Sequence, residues 1–216
     1  KRVLAEYCAH LITPPDVDST VDIIGVNANG VLDNSQVLTG DHRSEQYPPS
    51  ENDYTIALRI QFGDFVYFTA GDLDGEDSKS SYKYKYHNVE STYKTFIGQV
   101  DVYHADHHGS EHSNNKDFLS TLLPTVSLIS CGAGNSYGHP TQKALENMQL
   151  TSKIFLTQDC NPTITDKYPN AVIVLNDEIV VSYTKDSSTY TVSDSQNSKS
   201  HTFAIKSNKP KPEVCN

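Results

Sequence analysis

Apolar and polar positions along this chain fall into short blocks, each carrying the period of one kind of element. "VDIIGV" (21–26) reads as a strand, followed by "NANGVLDNS" and "GDHRSEQYPPSEND", whose Gly, Asn, Asp and Pro predict a long loop able to sit over a site. "YTIALRIQF" and "FVYFTAG", joined by Gly63 and Asp64, predict a hairpin of apolar strands. A polar stretch, "DLDGEDSKSSYKYKYHN", leads to a predicted helix over 89–97 and then the strand "QVDVYHA".

Helical and strand periods then alternate. "NNKDFLSTLLP" predicts a helix with Asn115 as N-cap and Pro124 as terminator, followed by the strand "TVSLISCG". "GHPTQKALENMQL" predicts an amphipathic helix with Pro140 near its first position, and "KIFLTQD" the next strand. Such alternation indicates an α/β layer structure. From residue 171 only strands are predicted: "AVIVLNDEIVVSY" with a turn at Asn176 and Asp177, "STYTVSD" and "HTFAIKS", then the polar tail "NKPKPEVCN". The expected organisation is one domain over 1–170 and a small β-rich, antiparallel extension with a tail over 171–216.

Composition narrows the class. The 216 residues suffice for one full domain with additions, and no apolar run approaches the roughly 18 residues that span a bilayer. With 27 acidic against 17 basic residues, the net charge of −10 disfavours a broad positive surface that clamps a phosphate backbone. Metal ions can offset carboxylates locally, so nucleic acid stays open as a substrate. Cys8, Cys131, Cys160 and Cys215 form no close CxxC pair, leaving buried thiols or two disulfides. One Met, no Trp and an even cysteine count point to a secreted or extracytoplasmic protein. The chain starts at Lys1 without a leader, so a signal peptide or something larger is expected to have been removed.

Three short pieces carry chemistry: "TAGD" ending at Asp72, "HADHHGS" with His107 and His108, and "NSYGHP" with His139. Each places an ionisable residue just past the C-terminal end of a predicted strand, where loops of open α/β sheets converge on ligands. Neutral imidazole nitrogen and carboxylate oxygen suit zinc, manganese or iron, and a carboxylate can bridge two ions. Each piece also has a plain structural reading: Asp72 as a turn or cap residue, His107 and His108 as a surface pair, His139 as part of a helix N-cap region. Their order and spacing favour a common site. "SYKYKYHN" (81–88) alternates aromatic and basic residues and could contact bases or phosphate, although an exposed edge strand or loop explains it more simply. His42 and Arg43 lie in the long loop, where solvated loop is the default reading; His10, His87, His104, His112 and His201 carry no expected role.

Over roughly 51–150, "ENDYTIALRIQFGDFVYFTAGD" and "VDVYHADHHGSEHSNNKDFLSTLLPTVSLISCGAGNSYGHPTQKALENM" resemble the metallo-β-lactamase superfamily, most closely its ComEC-like competence metallohydrolase branch. The resemblance implies the second half of an αββα sandwich, here with a C-terminal antiparallel β addition. It implies a metal-dependent hydrolase, most closely a phosphodiesterase of the nuclease or phosphorylcholine-esterase kind, acting through a metal-bound hydroxide. Asp72, His107 and His139 match the metal ligands, for zinc or manganese as two ions in a complete site. His108 matches a residue that contacts substrate or polarises the scissile group. Gly109 is expected to permit close backbone approach and Ser110 to cap the segment after it. The superfamily's H-x-H-x-D-H motif is not found: residues 1–71 hold only His10 and His42, and "VYHADH" has Val102 where the first histidine belongs and lies after "TAGD". A half sandwich would leave one apolar face of its sheet uncovered. The expected partner is therefore an N-terminal half of the same fold, as a separate or cleaved chain, together with a small phosphodiester or nucleic-acid substrate and no membrane span. Two alternatives stand beside this: a non-catalytic binding module that keeps the fold without a full metal site, and hydrolysis of esters, lactones or amides by the same chemistry.

Overall fold

The structure is a computed structural model that describes residues 6, 9–11, 18–28, 32–33, 36–37, 44, 46–79 and 83–213. Cys8, His42, Arg43 and Cys215 lie outside the described residues. Strands β1 (His10–Leu11), β2 (Ser19–Gly25), β3 (Leu32–Asp33) and β4 (Gln36–Val37) precede the hairpin of β5 (Ala57–Phe62) and β6 (Phe65–Thr69). A ribbon of β7 (Gly75–Lys79) and β8 (Lys85–Asn88) leads into α1 (Val89–Ile97). Then β9 (Val102–His104), α2 (Lys116–Leu122), β10 (Val126–Ile129), α3 (Gln142–Met148), β11 (Lys153–Leu156), α4 (Pro162–Thr165) and β12 (Val172–Val174) alternate. The chain closes with β13 (Val180–Tyr183), β14 (Thr189–Ser193) and β15 (Ser200–Ala204).

Eight strands make one mixed sheet in the order β1-β2-β5-β6-β9-β10-β11-β12. From β1 to β6 neighbours run antiparallel, and from β6 to β12 they run parallel, so β6 joins the two regimes. Successive side chains of a strand face opposite sides, and the two faces meet different partners. Phe68, Tyr103, Ile129, Ile154 and Leu156 pack on the helical layer, against Tyr93 and Ile97 of α1, Phe118 and Leu122 of α2, and Leu145 and Met148 of α3. Val102, Val126, Leu128 and Phe155 face the other way and pack against Tyr190, Val192 and Phe203.

That second face corrects one expectation. The sheet face expected to be uncovered is covered over β9, β10 and β11 by the antiparallel sheet β13-β14-β15 of the same chain, so a separate N-terminal half is called for by the missing H-x-H-x-D-H ligands alone. Tyr190 and Val192 alternate with Thr189 and Thr191 along β14, giving that small sheet its own apolar face. The mixed α/β architecture with a C-terminal antiparallel addition is the one read from the sequence; the packing of that addition as a second layer on the main sheet is not.

Three details differ from the sequence reading. β12 pairs in parallel with β11 as the edge of the main sheet instead of joining the antiparallel addition. The helix expected at Pro140 starts at Gln142, because the Thr141 hydroxyl accepts the Ala144 N–H and caps it there. The tail, as far as Glu213, is docked: Lys209 reaches the buried Asp101 carboxylate at 2.8 Å, and the Glu213 N–H donates to the Thr95 carbonyl at 2.9 Å. No helix among the described residues is long and apolar enough to cross a membrane.

Candidate functional site

The ends of β6, β9 and β10 lie side by side in the sheet, and the loops leaving them form the site. After Thr69 the chain turns through Gly71, at φ +69, where an added Cβ would stand 2.6 Å from the Thr55 hydroxyl. The turn presents Asp72, whose side chain is 43 % exposed. The Gly71 carbonyl accepts the His107 N–H at 2.8 Å, tying the first loop to the second.

The second loop is unusual in its backbone. His107 (φ 50, ψ 43), His108 (φ 54, ψ 24) and Gly109 (φ 79) are left-handed in succession, a conformation that non-glycine residues adopt rarely and at a cost. Gly109 meets the expectation of close approach: a Cβ there would lie 2.8 Å from Cβ of Pro140. The Ser110 hydroxyl accepts the His112 N–H at 3.2 Å, and Asn115 caps α2 by accepting the Phe118 N–H at 2.8 Å.

These bends aim the imidazoles. His108 Nδ1 lies 2.6 Å from the Ser130 carbonyl, which can only accept, so Nδ1 donates to it and Nε2 is the nitrogen turned towards the site. Nε2 stands 4.0 Å from Oδ1 of Asp72. His107 Nδ1 lies 3.3 Å from the Asn52 side-chain amide nitrogen. The third loop brings His139, following Tyr137 and joined to Pro140 by a cis peptide bond; its ring centroid lies 5.3 Å from that of His107. Asn135 and Asn161 hold this loop: Asn135 bonds the His139 N–H and carbonyl, while Asn161 Nδ2 donates to the carbonyls of Gly138 and Pro140. The Cys131–Cys160 disulfide ties the same two segments.

Asp72, His107, His108 and His139 are thus brought together at one end of the sheet. Burial, reinforced by His107 and His108, pushes His139 down to about 4, and burial lowers His107 as well, so both rings are neutral at pH 7. His139 Nδ1 is buried with no hydrogen-bond partner among the described residues. A neutral nitrogen without a partner is the donor type a transition-metal ion takes. In kind, then, these residues fit a zinc or manganese ion. In number they fall short, since among the described residues no three His, Cys, Asp or Glu side chains converge closely enough to hold a metal.

The sequence reading missed the buried acids beneath the site. Asp53, Asp74, Glu90 and Asp106 are all buried, and burial raises each of them: Asp53 to about 9, Asp74 to about 6, Glu90 to about 7, and Asp106 well above the carboxylate range. Glu90 is anchored by the N–H groups of Asn114 and Asn115. Asp106 lies inside the "HADHHGS" text and was legible there as a further acid. His104, assigned no role, bridges Thr69 and the Ser130 hydroxyl, and so supports the residue whose carbonyl orients His108. His112 bonds Glu76 at 2.6 Å and stacks on Tyr86 at 4.3 Å, and Lys143 reaches the same Glu76 at 2.8 Å. The described part of "SYKYKYHN" forms β8 and its approach, a strand as its simpler reading had it but half-buried instead of exposed.

Two concavities flank the Asp72–His108 pair. One, of about 320 Å³, is lined by Glu51, Asn52, Tyr54, Thr55, Gly71 and Asp72; the other, of about 420 Å³, by His108, Ser130, Cys131, Asn135, Tyr137 and His139, with Gly132 at its edge. A cavity of about 490 Å³ between Thr125, Lys153 and Lys167 lies at the opposite ends of the parallel strands. The carboxyl ends are where sheets of this type bind ligands, so the paired concavities are the relevant ones.

No family model matches the chain. Over 125 residues, 58 % of its length, it is 34 % identical to "ComE operon protein 3" of Bacillus subtilis, and over 99 residues, 46 % of its length, it is 23 % identical to "Recombination protein 2" of Haemophilus influenzae. The matched stretches make up 15 % and 11 % of those relatives, so the chain spans a small part of either. The names of these similar proteins suggest the competence ComEC family.

Proposed function

We propose that this chain carries one part of a metal-dependent phosphodiesterase site of the metallo-β-lactamase type, with the remaining ligands supplied by an N-terminal half of the same fold. The observation that carries the reading is the meeting of Asp72, His107, His108 and His139 at the ends of three neighbouring strands, between two open concavities. A diester has two substituents, and a centre with room on both sides suits it. Similarity to proteins named for the ComE operon and for recombination supports a role in DNA uptake or recombination, with nucleic acid as the substrate class.

When bound, zinc or manganese supplies a water of lowered pKa and positive charge at the developing transition state. In this chain Asp72 offers an anionic oxygen, and His107 and His139 offer neutral nitrogens. His108, its Nδ1 committed to the Ser130 carbonyl, holds Nε2 beside Asp72, where it can accept or deliver a proton.

A second reading, the non-catalytic binding module, is favoured by the lack of a ready three-residue metal cage among the described residues. Metal analysis decides between them. The purified chain, alone and mixed with an N-terminal half carrying H-x-H-x-D-H, is assayed for bound zinc and manganese and for hydrolysis of bis-p-nitrophenyl phosphate, plasmid DNA and a lactam. The enzyme reading expects stoichiometric metal that Asp72→Ala removes, and turnover of the two phosphodiesters. Folded protein with neither metal nor turnover in either preparation makes it a binding module.

A further inference from the structure

We propose that the cavity of about 420 Å³ beside His108 and His139 is a stacking subsite for a nucleobase, with Tyr137 as its platform. The proposal rests on the phosphodiesterase reading for its substrate and adds the group that flanks the scissile phosphate. Tyr137 is 82 % exposed, far more than any other large apolar or aromatic side chain among the described residues, and so does little for the core. Its ring lies nearly parallel to that of His139, at 10° with centroids 5.9 Å apart.

The ring is also presented on a fixed support. Asn135 Nδ2 bonds the carbonyls of Gly132 and His139, Asn161 bonds those of Gly138 and Pro140, and the Cys131–Cys160 disulfide closes the segment. An exposed aromatic ring on a braced loop, beside an ionic centre, is a preorganised contact for a flat ligand.

The lining selects among flat or cationic groups. It contains no carboxylate and only one tyrosine, so a quaternary ammonium would find neither counter-charge nor aromatic cage. A neutral ring system needs only the face of Tyr137. The polar atoms nearby are already committed: the Ser130 hydroxyl to His104, the Ser130 carbonyl to His108, and the Asn135 amide to its own loop. Few are left to read base edges, so the subsite is expected to hold any base by stacking. The volume lies within the range of ligand pockets.

Equilibrium binding tests this without depending on turnover. Fluorescence anisotropy, in EDTA and low salt, compares a short oligothymidylate with the same backbone bearing tetrahydrofuran in place of every base. The expected result is tighter binding of the base-bearing strand, roughly tenfold weakened in Tyr137→Ala, kept in Tyr137→Phe, and no effect of either substitution on the abasic strand. Equal affinity for the two strands, no binding of either, an unchanged Tyr137→Ala, or displacement of the oligomer by phosphorylcholine overturns the proposal. Thermal unfolding of both variants confirms that the fold is kept. Hydrolysis of bis-p-nitrophenyl phosphate, measured separately, shows whether the phosphodiesterase reading stands when the subsite does not.

Discussion

His108 is held by Ser130: its Nδ1 donates to the Ser130 carbonyl at 2.6 Å, and this turns Nε2 to within 4.0 Å of the Asp72 carboxylate. A backbone carbonyl fixes the tautomer more firmly than a hydroxyl, because it accepts and never donates. In a metal-loaded, active preparation, His108→Ala is expected to lower turnover of a phosphodiester by about 10²- to 10⁴-fold with bound metal unchanged. His139→Ala is expected to lose metal together with activity. Parallel metal analysis and steady-state kinetics separate the two; equal metal loss in both variants would make His108 a ligand instead.

Gly109 and Gly134 provide a matched pair for the backbone. Both have positive φ, 79 and 75, but a Cβ at Gly109 meets Pro140 at 2.8 Å while at Gly134 nothing lies within 4 Å. Gly134→Ala is expected to cost about 1 kcal/mol, from conformation alone. Gly109→Ala adds a clash and is expected to cost about 2 kcal/mol or more. Urea unfolding of the two variants measures the difference, and equal losses would show that the contact with Pro140 is soft.

Asp53 imposes a pH dependence of a definite sign. Burial, with the Asp74 charge added, raises it from 3.8 to about 9, so the folded chain keeps its proton where the unfolded chain releases it. The associated stability is present in full below about pH 4 and is lost as pH rises towards 9. Asp53→Asn, a neutral group of similar shape, is expected to unfold at higher temperature than the parent at pH 8.5, with the gap narrowing at pH 5. A gap that widens on acidification would contradict the burial of an uncharged Asp53.

Lys209 and Asp101 make a buried ion pair, with side chains 9 % and 0 % exposed and 2.8 Å apart. Asp101 also accepts the N–H groups of Val66 and Lys206, so it joins the edge of β6 to the returning tail. Lys209→Met keeps the apolar stem and removes the cation in direct contact with the carboxylate, leaving it the Lys206 charge and two N–H donors, at an expected cost of about 3 kcal/mol. Chemical denaturation reads this directly; a loss under about 1 kcal/mol would mean that the tail contributes little to holding the sheet.

The sequence by itself determined local features. The period of two in "YTIALRIQF" and "FVYFTAG", the helix over Val89–Ile97, the Asn115 cap and the three strand-end positions of Asp72, His107/His108 and His139 all depend on neighbours within a few residues. The tertiary structure alone decided the partner of each apolar face and the aim of each ring. Val126 and Phe155 were legible as buried, but not that Tyr190 and Phe203 of the same chain would cover them. Nor did spacing reveal that Lys209 closes on Asp101, that Cys131 pairs with Cys160, or that His107 and His108 turn left-handed to face Asp72 and His139. Those outcomes are set by contacts between segments distant along the chain, where burial and pairing outweigh local preference, and a local pattern carries no record of which distant surface it will meet.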